Sequence, residues 1–282
     1  MRTATAAWTG YEDNAVDGSG CSQHDPLACD DGALDDRRRR LDWRGFLNAR
    51  DLGGHPTKNG SRTRWGFVVR ADMPRPMAMA ACAAVCSYCI RSVLDLRLPE
   101  QASRNPSPFA AMDDSEVVYH RLPFAGPVDS MRPDFGSLEL QYELMVGAFA
   151  RVAPNVMAAI ASAEGGVLVH CEYGKDRTGL VCALLLDIAG VPRQIVAEDY
   201  TATADSLQPV FDRFLASGPG DRRAREADLA RFMPRPEVIL TTLANLDAHY
   251  GGVEGYLSWA GVPRAVRDRL GCRLVDYDSL RK

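Results

Sequence analysis

The chain of 282 residues is 46% hydrophobic and carries a formal net charge of −4 at neutral pH. That much apolar material can bury a sizeable core, whereas the acidic balance argues against a nucleic-acid partner. Eight cysteines, unevenly spaced and several of them inside apolar segments, point to reduced thiols rather than a disulfide framework.

Residues 1–40 are rich in Gly, Asp, Ser and Thr and close on the basic run Arg37 to Arg40. They are expected to form a mobile arm ahead of a single domain spanning 41–282. The first residues lead into polar sequence instead of an apolar signal core, so a cytoplasmic location is expected. Short β-branched runs at 65–70, 92–96, 116–122 and 166–170 read as strands. Longer patterns read as helices at 77–90, 138–151 and 155–163, the last two parted at Pro154. Residues 178–189 are apolar nearly all round, as in a helix at the centre of a domain, and Gly190 with Pro192 ends it and starts the next. The most apolar stretches, 77–90 and 180–191, are too short to span a bilayer, so no stable membrane anchor is expected. From 204 to 236 the chain mixes amphipathic pieces, such as Val210-Phe211 and Phe214-Leu215, with a Gly218-Pro219-Gly220 break. Residues 237–274 read as three helices broken at Gly251-Gly252 and Gly261. The alternation of strands and helices gives an α/β protein.

The chemistry lies in Val167-Leu168-Val169-His170-Cys171-Glu172-Tyr173-Gly174-Lys175-Asp176-Arg177-Thr178-Gly179, a strand running through a loop into a helix. Such a loop turns backbone N–H groups inward, and the helix dipole adds positive potential where an oxyanion would sit. The same field favours a thiolate, so Cys171 is expected to be nucleophilic near neutrality. Arg177 completes a phosphate cradle, because its planar fork suits two oxygens at once. Glu172, Tyr173, Gly174, Lys175 and Thr178 are expected to line it. His170 is expected to orient the loop by hydrogen bonding. Thr178 either donates to the cysteine sulfur or caps the helix, and Lys175 either contacts substrate or faces solvent. Cys82, Cys86 and Cys89 have the spacing of a cluster-binding motif, but with Val85 they fall on one helix stripe and read as packing. Gly174-Lys175 lacks the earlier glycine and the following Ser or Thr of a nucleotide loop.

The Cys-x5-Arg loop resembles the active-site loop of cysteine-dependent protein tyrosine phosphatases, and the string from His170 to Gly179 is similar to that of a bacterial and fungal branch of them. Further matches follow in order: Asn48 to Gly54, Val93 to Arg97 with Glu100, Glu198-Asp199-Tyr200 and residues 253–257. The family usually carries an aromatic residue where this chain has Ala49. The resemblance implies a central, mostly parallel twisted sheet flanked by helices, with a helical lid at 204–236. A surface insertion without a gating role is the competing reading of that segment. It also implies phosphomonoester hydrolysis through a cysteinyl-phosphate, without metal or cofactor. The leaving oxygen needs a proton; in the resembled branch it comes from the loop, here Asp176, and Asp129 or Asp134 on a separate segment compete. Arg50, Asp51, Asp95 and Arg97 are expected to support the loop. The implied partner is a phosphorylated substrate, a phosphoprotein or phosphoinositide, with a nucleotide or sugar phosphate as the alternative. An inactive phosphate-binding module and a sulfur-transfer or arsenate-reducing protein are the rivals. The retention of Cys171, Asp176 and Arg177 counts against the first, and Thr178 against the second.

Overall fold

The computed structural model describes residues 36–74, 78–112, 117–124 and 136–276. Most of the expected arm and both alternative acids, Asp129 and Asp134, lie outside the described residues. In chain order the first elements are helix α1 (Asp36–Arg39), strands β1 (Arg50–Asp51), β2 (Arg62–Thr63) and β3 (Val68–Ala71), and helix α2 (Ala78–Ser87). Strand β4 (Ile90–Asp95), helix α3 (Pro99–Arg104), a 3-10 turn at Pro108–Ala111 and strand β5 (Val118–Arg121) follow. Helices α4 (Leu138–Phe149) and α5 (Ala153–Ser162) lead to strand β6 (Gly166–His170) and helix α6 (Asp176–Ile188). The remainder is helical: α7 (Arg193–Thr201), α8 (Thr203–Ser206), α9 (Gln208–Ser217), α10 (Arg222–Phe232), α11 (Pro236–Tyr250), α12 (Val253–Trp259) and α13 (Arg264–Leu274), closing on strand β7 (Val275–Asp276).

The main sheet has the order β1-β3-β6-β4-β5 and is parallel except for β1. Its register aligns Ala71, His170, Asp95 and Arg121 across neighbouring strands. The parallel strands therefore end together, and the loops leaving them share one edge, where α/β sheets bind ligands. β6 is the middle strand and is buried along its whole length, as a parallel strand covered on both faces must be. Alternation divides its side chains between the faces. Val167 and Val169 enter the larger core with Tyr142, Ile160, Leu184 and Leu243, whereas Leu168 meets Val69, Val93 and Val85 beneath α2. Helix α6 is buried from Asp176 through Leu186, which accounts for its all-round apolar sequence.

Some boundaries differ from those expected. Pro154 does not part α4 from α5; it sits in the first turn of α5, where its missing N–H removes no helix bond. Helix α2 stops at Ser87 and Ile90 opens β4, with Cys89 exposed in the turn between them at φ 58. The stripe of one helix thus holds Cys82, Val85 and Cys86 but not Cys89. At the other end of the arm, Arg40 bridges Arg50. No single described helix is long and apolar enough to cross a membrane.

Candidate active site

Cys171 follows the last residue of β6 and is 4% exposed at the base of a loop that runs into α6. The shape of that loop is set by what its carbonyls accept. His170 Nδ1 donates to the Cys171 carbonyl at 3.1 Å, Met73 N–H to Glu172 at 3.2 Å, Asn48 Nδ2 to Tyr173 at 3.0 Å and Arg70 Nη2 to Gly174 at 2.8 Å. A trans peptide is planar with its C=O and N–H on opposite sides. Each anchored carbonyl therefore turns the next N–H away from its anchor, and the amides of Glu172, Tyr173, Gly174 and Lys175 are oriented in this way. Asp176, Arg177 and Thr178 then form the first turn of α6, where helix N–H groups have no intrahelical acceptor and the dipole is positive. Amides arranged in this way can hold an anion. Gly174 makes the bend possible, since its φ is 64° and a Cβ there would lie 2.5 Å from the Ala71 carbonyl oxygen.

The side chains complete the site. Arg177 is buried and donates from Nη1 to the Leu96 carbonyl at 3.3 Å. Lys175 does not face solvent: its Nζ donates to Asp176 Oδ1 at 2.7 Å and to the Phe232 carbonyl, at the end of α10, at 3.0 Å. Tyr142 on α4 brings its hydroxyl 3.4 Å from the same Asp176 oxygen. The Thr178 hydroxyl is buried with no hydrogen-bond partner among the described residues. Tyr173 packs against Leu207, Val210 and Phe211 of the following helical segment.

Beneath the loop, Arg97 grips Asp95 through Nη2 at 2.7 Å and Nε at 3.0 Å, donates to the Asn105 carbonyl at 2.8 Å and lies 3.6 Å from Glu172 Oε2. This guanidinium is fully enclosed and committed to protein groups. Asp95 also accepts from Tyr119 Oη at 2.7 Å and lies 3.9 Å from His170 Nε2. Burial opposes ionisation of Asp95, but His170 and Arg97 outweigh it and hold the carboxyl down to about 2. Burial also pushes the His170 imidazole down, which leaves Arg97 as the standing cation at neutral pH.

Arg50 and Asp51 point to opposite sides of β1. Arg50 runs toward the loop side and donates from Nη2 to the Asp199 carbonyl at 2.7 Å. Asp51 is not brought to the loop: it accepts from Gly53 N–H at 2.7 Å, Gly66 N–H at 2.8 Å and Tyr88 Oη at 2.7 Å, at the opposite end of β3. Burial pushes its carboxyl up to about 6 despite those donors.

Sequence reasoning gave no role to Arg70, Asn48, Asp72, Asp199 or Thr203. Asp72 accepts from the N–H groups of Leu47 at 3.0 Å and Asn48 at 2.9 Å, which fixes the residue that anchors Tyr173. The available signals were an arginine inside Phe67-Val68-Val69-Arg70-Ala71 and the presence of Asn48 and Asp199 in the ordered matches.

The parallel sheet thus carries a cysteine into a loop whose carbonyls are anchored from outside, with an arginine in the first turn of the helix that follows. The tyrosine phosphatase family model matches residues 41–276. The chain is 32% identical over 222 residues to a tyrosine-protein phosphatase of Nostoc commune, covering 74% of this chain and 74% of that one. It is 32% identical over 133 residues to the triple specificity protein phosphatase PtpB of Mycobacterium tuberculosis, covering 43% of this chain and 48% of that one. The crystal structure of P. aeruginosa TpbA is similar over 74% of this chain and 97% of that one, at 15% identity and a TM-score of 0.37. The chain belongs to the tyrosine phosphatase family, whose members are cysteine-dependent phosphoric monoester hydrolases.

Proposed function

We propose that Cys171 Sγ attacks the phosphorus of a phosphomonoester, forming a cysteinyl-phosphate as the P–O bond to the leaving group breaks. The observation that carries this reading is the row of carbonyls from Cys171 to Gly174, each anchored from outside, which orients the following amides as one set. Those amides and the Arg177 fork stabilise the charge that spreads over the phosphoryl oxygens in the transition state. Asp176 gives its proton to the departing oxygen. In the free enzyme Lys175 holds Asp176 at 2.7 Å, and a phosphate dianion entering the cradle competes for that ammonium. Water then attacks phosphorus, the S–P bond breaks, and the proton released by water returns to the Asp176 carboxylate. The Thr178 hydroxyl, which has no hydrogen-bond partner among the described residues, donates to the sulfur as it leaves. Nucleophile, acid and charge stabilisation all come from this chain.

The substrate proposed is phosphotyrosine in proteins, supported by the names of the relatives. The segment from α8 to α10 is proposed to act as a lid, supported by its contacts with Tyr173 and Lys175. Replacing the nucleophile tests the chemistry. Cys171→Ser should lower turnover of p-nitrophenyl phosphate by on the order of a thousandfold or more while inorganic phosphate still binds, and turnover within a few-fold of wild type would remove Cys171 from the mechanism. Phosphotyrosine peptides, phosphoinositides, and nucleotide and sugar phosphates compared by kcat/KM test the substrate. A preference for a nucleotide or sugar phosphate would overturn the protein substrate and leave the chemistry standing.

A further inference from the structure

Arg50 and Arg70 are directly opposed across the β1–β3 ladder, an arrangement that costs stability for like charges unless something lies between them. Asp199, from α7, lies between them. Arg70 Nη1 pairs with Asp199 Oδ2, and Arg50 Nε approaches Asp199 Oδ1 at 3.4 Å. Both guanidiniums also reach Thr203 Oγ1 at 3.1 Å, at the start of α8. All three charged side chains are buried. A structural ion triad would need nothing more, yet each arginine also leads to a loop carbonyl. Arg50 Nη1 donates to Asn48 Oδ1, which leaves Asn48 Nδ2 to hold the Tyr173 carbonyl. Arg70 holds the Gly174 carbonyl directly at 2.8 Å.

We propose that Arg70 is a positioning residue for the reaction at Cys171: it fixes the Gly174–Lys175 peptide so that the Lys175 amide faces the bound phosphoryl group, and ties that peptide to Asp199 and Thr203 at the root of α8. The proposal rests on the phosphatase reading of the loop. Gly174 is the residue least able to hold this orientation itself, because at φ 64 it has no side chain to restrict it. An arginine suits the task because one guanidinium can serve Gly174, Asp199 and Thr203 at once, whereas a single ammonium lacks the fork.

Arg70→Lys and Arg70→Met are compared with wild type at a temperature where circular dichroism shows each fully folded. The readouts are kcat on p-nitrophenyl phosphate, the inhibition constant of inorganic phosphate, and phosphate binding by calorimetry, which needs no turnover. Arg70→Lys should lose about tenfold in kcat and in phosphate affinity. Arg70→Met should lose on the order of a hundredfold, as when an oxyanion-hole donor is removed. A purely structural arginine would lower the melting temperature and leave the folded fraction with wild-type constants, and that result overturns the proposal. If Arg70→Met does not fold, Arg70→Lys decides alone by the same criterion. Wild type and Cys171→Ser are assayed alongside. Absent turnover in wild type defeats the phosphatase reading, whereas normal turnover with unaffected Arg70 variants defeats only the role of Arg70.

Discussion

One methyl group tests the geometry of the loop. In Gly174→Ala the new Cβ would meet the Ala71 carbonyl oxygen at 2.5 Å, at a φ of 64° that L side chains rarely adopt, so the peptide presenting the Lys175 amide must tilt. We expect kcat/KM to fall on the order of a hundredfold and the melting temperature by a few degrees, about what 1 kcal/mol costs a chain of this size. Wild-type kinetics would show that this amide takes no part. The proton donor is tested by leaving group. Asp176→Asn should barely affect p-nitrophenyl phosphate, whose phenolate leaves without help, and should slow an alkyl phosphate by on the order of a hundredfold. Asp129→Asn and Asp134→Asn should have mild effects on both. If one of those two shows the leaving-group dependence instead, the acid lies in that segment and Asp176 serves as the ion-pair partner of Lys175.

Helices α8, α9 and α10 meet the loop at two points, the apolar cluster around Tyr173 and the Lys175 bond to Phe232. Phe211 is 4% exposed in that cluster, so Phe211→Ala should loosen the segment while leaving the sheet intact. Alkylation of Cys171 by iodoacetamide should then quicken and KM should change more than kcat; unchanged values for both would identify the segment as a surface insertion. The same elements show what the sequence could reveal. Strands β3 to β6 have enough β-branched residues to register as runs, but β1, β2 and β7 have two residues each, too few for any period to appear. The loop from Cys171 to Arg177 was legible because it is local, a run of fixed length entering a helix. Arg70 and Asp199 were not, because only the β1–β3 register and the path of α7 bring them beneath Gly174. Asp51 was misplaced for a related reason: its neighbour Arg50 does reach the loop side, and the alternation of a strand sends Asp51 the other way.

Across the whole molecule, the two ends of the sheet hold buried carboxylates of opposite character. At the loop end, burial opposes ionisation of Asp199, but Arg70 and Arg50 outweigh it and hold the carboxyl well below the usual range; Asp95 is held down to about 2 in the same manner, by His170 and Arg97. Such groups contribute stability above their ordinary pKa and lose it as pH falls through the folded value. At the far end burial outweighs Tyr88, the amides of Gly66 and Gly53 and the charge of Arg39, and raises Asp51 from 3.8 to about 6. Its contribution is fully present below 3.8 and is lost as pH rises through 6. Asp51 joins the strand β1, the turn at Gly66 and Tyr88 beyond α2, so this titration acts on global stability more than on the loop. Urea unfolding of wild type and Asp51→Asn at pH 4 and pH 7 isolates it. The lost carboxylate contacts give the variant a constant offset, and His170 titrates in both proteins and cancels from the difference. We expect wild type to lose about 2 kcal/mol relative to Asp51→Asn between the two pH values, because pH 4 lies just above 3.8 and a little of the contribution is already gone there. Equal pH slopes for the two proteins would mean that Asp51 ionises freely in the folded chain and that its three donors, rather than its burial, decide its charge.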